Sequence, residues 1–209
     1  MSAADGGTVV IVFARASSPG AVKTRLIPVL GAEGAATLHA RLAEKALETA
    51  RAASLARVEL HGTPDIDDPF LRSCARQFAA VLVAQTGADL GARMRAAFES
   101  VLARHPRALL IGSDCPALTV RHLQQADEAL RDGADAAFVP CEDGGYALIG
   151  LTRVHARLFD GIAWGSETVM AETRARLRAL GWRWRELETL WDVDRPEDYA
   201  RLTSLELLE

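Results

Sequence analysis

The chain has 209 residues, a formal net charge of −4, 49% hydrophobic residues and 25% charged residues. A chain of this size and balance buries a full core without disulfide staples, which excludes a disordered or fibrous protein. The acidic balance, with arginines interleaved among acids and alanines, argues against a nucleic-acid partner.

Strand-like and helix-like segments alternate along the chain. Thr8 to Phe13 is a short β-branched strand, and Glu33 to Ala53 has helical periodicity. Arg57 to His61 reads as a strand, Asp68 to Phe78 as a short helix and Ala80 to Ala84 as a strand. Leu90 to Arg104 is helical with Asp89 as its N-cap, and Ala108 to Ile111 is an uncharged, central strand. Thr119 to Arg131 is a helix capped by Thr119. Ala136 to Val139 and Tyr146 to Leu151 are strands joined by a short acidic link, which predicts a hairpin. Ser166 to Leu180 is a helix capped by Ser166, Trp182 to Leu187 a strand, and Pro196 to Leu208 a last helix. This alternation predicts one α/β domain over residues 1–209, a mixed, mainly parallel sheet with helices on both faces. No internal repeat, low-complexity tract or Pro/Ser-rich linker divides it.

The N-terminal stretch lacks the basic region and apolar length of a signal peptide. No apolar run approaches the roughly 20 residues needed to span a bilayer. Cys74, Cys115 and Cys141 form neither a disulfide framework nor a CxxC pair, so the expected location is cytoplasmic.

Four segments carry chemistry. The apolar strand ending at Ile111 breaks into Gly112-Ser113-Asp114-Cys115-Pro116. Ligands of open α/β sheets bind beyond the carboxyl ends of strands, so Asp114 stands where a cation and a phosphate would be held. A turn-initiating or helix-capping Asp would give the same pattern. The first strand runs into Ala14-Arg15-Ala16-Ser17-Ser18-Pro19-Gly20-Ala21-Val22-Lys23-Thr24-Arg25, a small-residue loop followed by two cations. Small residues such as Ser18 and Gly20 let backbone N–H groups approach a phosphate. Arg25 offers a bidentate fork and Lys23 a compact charge, with Arg15 at the strand end. Neither a Walker A nor a GxGxxG pattern is present, and an exposed basic loop would also fit.

In the third segment, Glu142-Asp143-Gly144-Gly145, the acids could hold sugar hydroxyls or act as a general base, and the glycines allow a close ligand approach. Asp-Gly is equally a strong turn signal by itself. In Trp191-Asp192-Val193-Asp194, period-2 alternation puts both aspartates on one side. With Asp114 they could complete an oxygen-rich site for Mg²⁺ or Mn²⁺. Alternatively, Asp194 with Glu197 and Pro196 resembles a capping box. Trp164 could stack on a base or sugar, although such a Trp is more often core. Cys115 reads as a small buried filler and none of the five histidines lies in an acidic or Cys motif, so neither a Cys-His nucleophile nor a zinc site is expected.

Together, FARASSPGAVKTRL, TGADLGARM, GSDCPALT, EDGGYALIGL, IAWGSETV and WDVDRPEDY, in this order from Val9 to about Leu202, resemble the radical-SAM/selenodomain-associated transferase family. The resemblance implies a GT-A fold of the nucleotide-diphospho-sugar transferase superfamily. The loop and DCP segments are also similar to phospholactate guanylyltransferase and molybdenum cofactor guanylyltransferase. By that similarity Lys23 and Arg25 hold phosphates and Asp114 binds the metal. The last motif resembles the VDTPEDL segment of sugar nucleotidyltransferases, which makes Asp194 the second metal ligand. The chain departs from these patterns at Arg195, where Thr is usual, and at Ser17-Ser18, where a bulkier pair is common.

The expected function is a Mg²⁺- or Mn²⁺-dependent transferase taking a nucleotide-activated donor, a nucleotide sugar, and a small-molecule acceptor. Asp143 and Asp192 are the expected catalytic acids and bases. Arg15, Ser18, Gly20, Lys23, Arg25 and Asp114 face the nucleotide phosphates, and Glu142, Gly144, Gly145 and Trp164 face the sugar or acceptor. Two alternatives stay open: a nucleotidyltransferase that condenses a nucleoside triphosphate with a phosphorylated acceptor, and a non-catalytic nucleotide-binding module. Oligomeric state, homo-oligomers included, is left open.

Overall fold

A computed structural model describes residues 6–205, 207 and 208. Seven strands form one sheet: β1 (Thr8–Arg15), β2 (Arg57–Thr63), β3 (Val81–Ala84), β4 (Arg107–Ile111), β5 (Ala136–Pro140), β6 (Tyr146–Leu151) and β7 (Trp184–Glu186). Their spatial order is β3-β2-β1-β4-β6-β5-β7. All neighbours pair in parallel except β6, which runs antiparallel to both β4 and β5. The hairpin expected from the acidic link is therefore present, with a register shift at Val139/Pro140.

The central strands read as continuous apolar runs because both sheet faces are covered. On one face, Val10, Val12 and Leu60 pack with α1 (Ile27–Ala52), α2 (Pro69–Gln77) and α4 (Val120–Arg131), through Ala43, Leu47, Leu71 and Leu123. On the other, Val9, Ile11 and Phe138 pack with α3 (Leu90–Leu102) and α5 (Val169–Leu180), through Met94, Phe98, Met170 and Leu177. A third cluster of Leu26, Leu38, Leu42, Trp191, Val193 and Leu202 joins α1 to α6 (Pro196–Ser204). No helix among the described residues is long and apolar enough to cross a membrane.

Several boundaries differ from those read in the sequence. The first helix begins at Ile27, behind a 3-10 turn at Thr24–Leu26, and is interrupted at Gly31 (φ 69°, ψ 169°). Only glycine adopts that conformation readily, so the regular periodicity starts at Glu33. Ser166 is not the cap of α5. Thr168 is its N-cap residue, and the Ser166 hydroxyl lies 2.9 Å from that of Thr168. Asp194 does not cap the last helix either. Arg195 is the N-cap, and Asp198, not Glu197, accepts the Arg195 and Asp194 N–H groups at 2.7 and 3.1 Å. The helix ends at Ser204, short of the expected Leu208, and position 206 of the expected span lies outside the described residues. Asp89 and Thr119 are N-caps as expected. Asp89 accepts the Ala92 N–H at 2.8 Å.

Candidate active site

The carboxyl ends of β1, β2 and β4 open into a cleft of about 690 Å³. The β1 loop reaches it under firm restraint. Ser17 donates its hydroxyl to the Ala36 carbonyl at 2.7 Å, and His39 bonds the Arg15 carbonyl at 3.0 Å, so α1 holds the loop from beneath. A carbonyl only accepts, so His39 donates from Nε2 and its Nδ1 is the bare nitrogen. Burial, opposed by that hydrogen bond, pulls the His39 pKa below its ordinary value. The imidazole therefore sits neutral on the cleft wall. It is a functional candidate with no neighbouring sequence motif to flag it.

Lys23 occupies the left-handed region (φ 47°, ψ 41°), an uncommon choice for a residue with a Cβ. This conformation turns the side chain inward, where only 5% of it is exposed. Its ammonium lies 2.6 Å from Asp114 Oδ1 and donates to the Val193 carbonyl at 2.6 Å. Arg25 pairs with the Asp194 carboxylate at the cleft rim. Lys23 and Arg25, two of the expected phosphate cations, thus each sit on an expected metal ligand.

The segment after β7 brings the remaining acids in. Leu190 donates to the Pro140 carbonyl, Glu142 donates to the Leu190 carbonyl, and Val193 donates to the Asp114 carbonyl, all at 2.8–2.9 Å. Val193 is fully buried. Alternation along this extended stretch turns Asp192 and Asp194 to the cleft. Burial, then the nearby Asp143 and Asp114 carboxylates, push the Asp192 pKa up to about 6. A carboxyl so placed exchanges a proton near neutral pH, as a general base must.

Arg15, Lys23, Arg25, Asp114, Asp143, Gly145, Trp164, Asp192 and Asp194 all line the cleft. Ser18 and Gly20 are not in its lining. They form an exposed turn in which the Ser18 carbonyl accepts the Ala21 N–H and Gly20 takes φ +80°. Glu142 faces away and pairs with Arg201 at 2.9 Å, whose guanidinium lies 4.4 Å from the Trp191 ring centre. Gly144 is outside the lining as well. Its φ is +88°, and a Cβ there would meet the Glu167 carbonyl oxygen at 2.1 Å, so this glycine serves packing. Trp164 seats its indole against Gly91, where a Cβ would come within 2.4 Å of Nε1, and meets Tyr146 edge-on at 6.4 Å. Gln85, Leu90 and Arg93 also line the cleft, and no role is read for them in the sequence. Leu90 and Arg93 lie within the TGADLGARM stretch and Gln85 directly precedes it, so that stretch is the available signal.

Asp114, Asp192 and Asp194 supply the hard oxygens that suit Mg²⁺ or Mn²⁺. Among the described residues, no three His, Cys, Asp or Glu side chains are gathered as a ready metal cage. Lys23 and Arg25 hold two of these carboxylates. The donor set fits a hard cation in kind, and gathering it requires the two cations to exchange partners.

The fold and cleft define an α/β protein of the nucleotide-diphospho-sugar transferase-like group. The chain belongs to a bacterial family described as uncharacterized proteins conserved in bacteria (DUF2064), whose pattern matches residues 46–166. Lys23, Arg25, Asp192 and Asp194 lie outside that span. Among solved structures, a candidate nucleotide-diphospho-sugar transferase from Desulfovibrio desulfuricans is 31% identical, with 90% of this chain and 82% of that one covered at TM-score 0.81. Rv0371c of Mycobacterium tuberculosis in complex with manganese is 18% identical, with coverage of 95% and 98% and TM-score 0.60. A cytidylyltransferase from Leptospira borgpetersenii is 14% identical, with coverage of 94% and 85% and TM-score 0.59. At such identities the last two show the shared fold alone. No curated protein matches the chain.

Proposed function

We propose that the protein is a metal-dependent transferase that uses a nucleotide-activated donor, with a nucleotide sugar as that donor. The observation that carries this reading is the paired arrangement of Lys23 on Asp114 and Arg25 on Asp194 at the carboxyl ends of β1 and β4. An anionic diphosphate would draw the two cations to itself, and the two carboxylates would then be free for a cation. The 31% identical Desulfovibrio desulfuricans protein, described as a candidate nucleotide-diphospho-sugar transferase, supports the same class.

In this mechanism Lys23 and Arg25 form charge-assisted hydrogen bonds to phosphate oxygens that strengthen as the leaving diphosphate gains charge. Asp114 and Asp194 would hold Mg²⁺ or Mn²⁺. That ion supplies charge neutralisation of the diphosphate when bound. Asp192 takes the proton of the acceptor hydroxyl, with Asp143 orienting the acceptor, and Trp164 provides an aromatic wall for the sugar. Sugar transfer is favoured over nucleotidyl transfer because acids and an indole, groups suited to a sugar, line the cleft beside the cations.

A thermal-shift panel with Mn²⁺ tests the reading, using nucleoside diphosphates, triphosphates and nucleotide sugars. A ligand at 100 times its Kd stabilises by about 2.7 kcal/mol. At roughly 2–4 °C per kcal/mol for a chain of this size, the expected rise with a nucleotide sugar is several degrees. A rise with triphosphates alone, with pyrophosphate released on adding phosphorylated acceptors, would establish the nucleotidyltransferase instead. No rise with any nucleotide would leave neither enzyme standing.

A further inference from the structure

The chain has three cysteines, all free, and two of them, Cys115 and Cys141, stand in the cleft wall. Cys115 follows β4 and Cys141 follows β5, and β6 lies between those strands in the sheet. Their thiols nevertheless meet in a hydrogen bond, past the start of β6. The backbone fixes both residues. The Cys115 carbonyl accepts the Leu118 N–H at 3.2 Å. Cys141 donates its N–H to the Gly145 carbonyl and accepts the Gly144 N–H, both at 3.0 Å, and it bridges to Leu190.

The two thiols differ in surroundings. Cys141 is buried in the core cluster that holds Leu148 and Leu190, and Cys115 packs on that cluster while half-buried. The hydrogen bond to Cys115, then burial, push the Cys141 thiol up, and the Asp192 and Asp143 carboxylates add to the shift. Cys141 therefore keeps its proton, and Cys115 is the thiol that meets a solute entering the cleft. Cys74 is 1% exposed and outside the cleft lining, and burial pushes its thiol up to about 12.

We propose that Cys115 and Cys141 form a reversible oxidation site, closed to a disulfide by a peroxide. An accessible thiol beside a resolving thiol is the arrangement of redox-sensing cysteines. The Cys115 sulfur attacks the O–O bond of hydrogen peroxide, which leaves a sulfenic acid and one water. The Cys141 sulfur then displaces the sulfenic hydroxyl, which departs with the Cys141 proton as a second water. The two thiols together lose two electrons and two protons, and the peroxide takes them up.

The cross-link would fall among the acids of the cleft. Cys115 adjoins Asp114, and Cys141 is two residues before Asp143. Turning a hydrogen-bond contact into a covalent bond draws the end of β4 toward the β5–β6 hairpin. On the proposed transferase reading, the displaced Asp114 weakens metal-dependent nucleotide binding.

Intact mass spectrometry, thiol counting and peptide mapping after a small excess of hydrogen peroxide test the site. The monomer should lose two hydrogens and keep one thiol, that of Cys74, with the mapped link joining Cys115 to Cys141. Dithiothreitol should restore all three thiols. In Cys141→Ser, Cys115 should stop at the sulfenic acid, trapped by dimedone. In Cys115→Ser, Cys141 should stay reduced. Three retained thiols, a link to Cys74, a link between two chains or over-oxidation of Cys115 without a link would overturn the inference. If a variant does not fold, the wild-type map still decides. Calorimetry of ADP, CDP, GDP and UDP with Mn²⁺ reads the consequence. The disulfide form should bind roughly tenfold or more weakly, the scale of disturbing the surroundings of a metal ligand, and reduction should restore the affinity. A disulfide with unchanged affinity would overturn its coupling to the cleft. Reduced protein that binds none of the four sinks the transferase reading and leaves the oxidation site standing.

Discussion

The Lys23 ammonium and the Asp114 carboxylate are 2.6 Å apart and 91 residues apart in sequence, with the lysine side chain 5% exposed and the aspartate side chain 49% exposed. The buried partner depends on the pair more than the exposed one does. Asp114→Asn leaves the ammonium only the Val193 carbonyl and the weaker amide. A loss of about 1.5–3 kcal/mol is expected, the range for a hydrogen bond to a charged group. The fold should survive, and chemical denaturation measures the loss. The same variant should bind nucleotide equally with and without Mn²⁺. Metal-dependent affinity retained in calorimetry would remove Asp114 from the ligand set.

Arg25 should behave in the opposite way. Its side chain is 65% exposed, and surface pairs contribute little to stability, so Arg25→Lys should leave the melting temperature within about a degree. Nucleotide affinity should fall by about 1.5–3 kcal/mol, because an ammonium does not rebuild a bidentate fork. A near-neutral effect on affinity would return the loop to an ordinary exposed basic loop.

Gly144 and Gly165 separate packing from backbone strain. Both have positive φ, but a Cβ at Gly144 runs into the Glu167 backbone, while at Gly165 it meets nothing within 4 Å. Gly165→Ala should cost about 1 kcal/mol of strain. Gly144→Ala should cost at least 3, with displacement of the loop before α5. Equal losses on urea unfolding would show that strain alone governs both sites.

Glu186 accepts from Arg174 Nε and Nη2 at 2.9 and 2.7 Å. This paired hydrogen bond, against the opposing effect of burial, holds the Glu186 pKa below its ordinary value. A carboxylate whose folded pKa is depressed contributes stability above its unfolded pKa and loses it as pH falls through the folded one. Arg174→Gln should therefore be less stable than the wild type by about 1 kcal/mol at pH 7. The gap should close as pH drops below about 4, near the unfolded carboxyl value. A gap independent of pH from 7 to 3 would assign the loss to packing.

What could be read in the sequence follows from how local each signal is. The β/α alternation and the hairpin rest on periodicity and an Asp-Gly turn, and both appear in the sheet. Asp192 and Asp194 share a side because alternation is intrinsic to extended backbone. The pairing of Lys23 with Asp114 depends on chain-distant neighbours that no spacing encodes. Glu142 shows the same limit in reverse: its place beside Asp143 suggests a ligand group, yet Arg201, 59 residues away, holds it outside the cleft. Gln85 sits in a plain strand-to-helix link, and only the arrival of the Ala14 and His61 carbonyls gives its amide a direction.

The stretch from Leu190 to Asp194 works as a seam. It is bonded to the hairpin through Pro140 and Glu142, to the end of β4 through Asp114, to the first loop through Lys23, and to the last helix through Asp198. Neither wall of the cleft has its full complement of acids until this seam is sewn. All seven strands precede it in the chain, so the sheet is complete in sequence before the last acids of its cleft are reached. Two of the cleft's four aspartates, Asp192 and Asp194, thus depend on the last stretch of chain to be laid against the sheet.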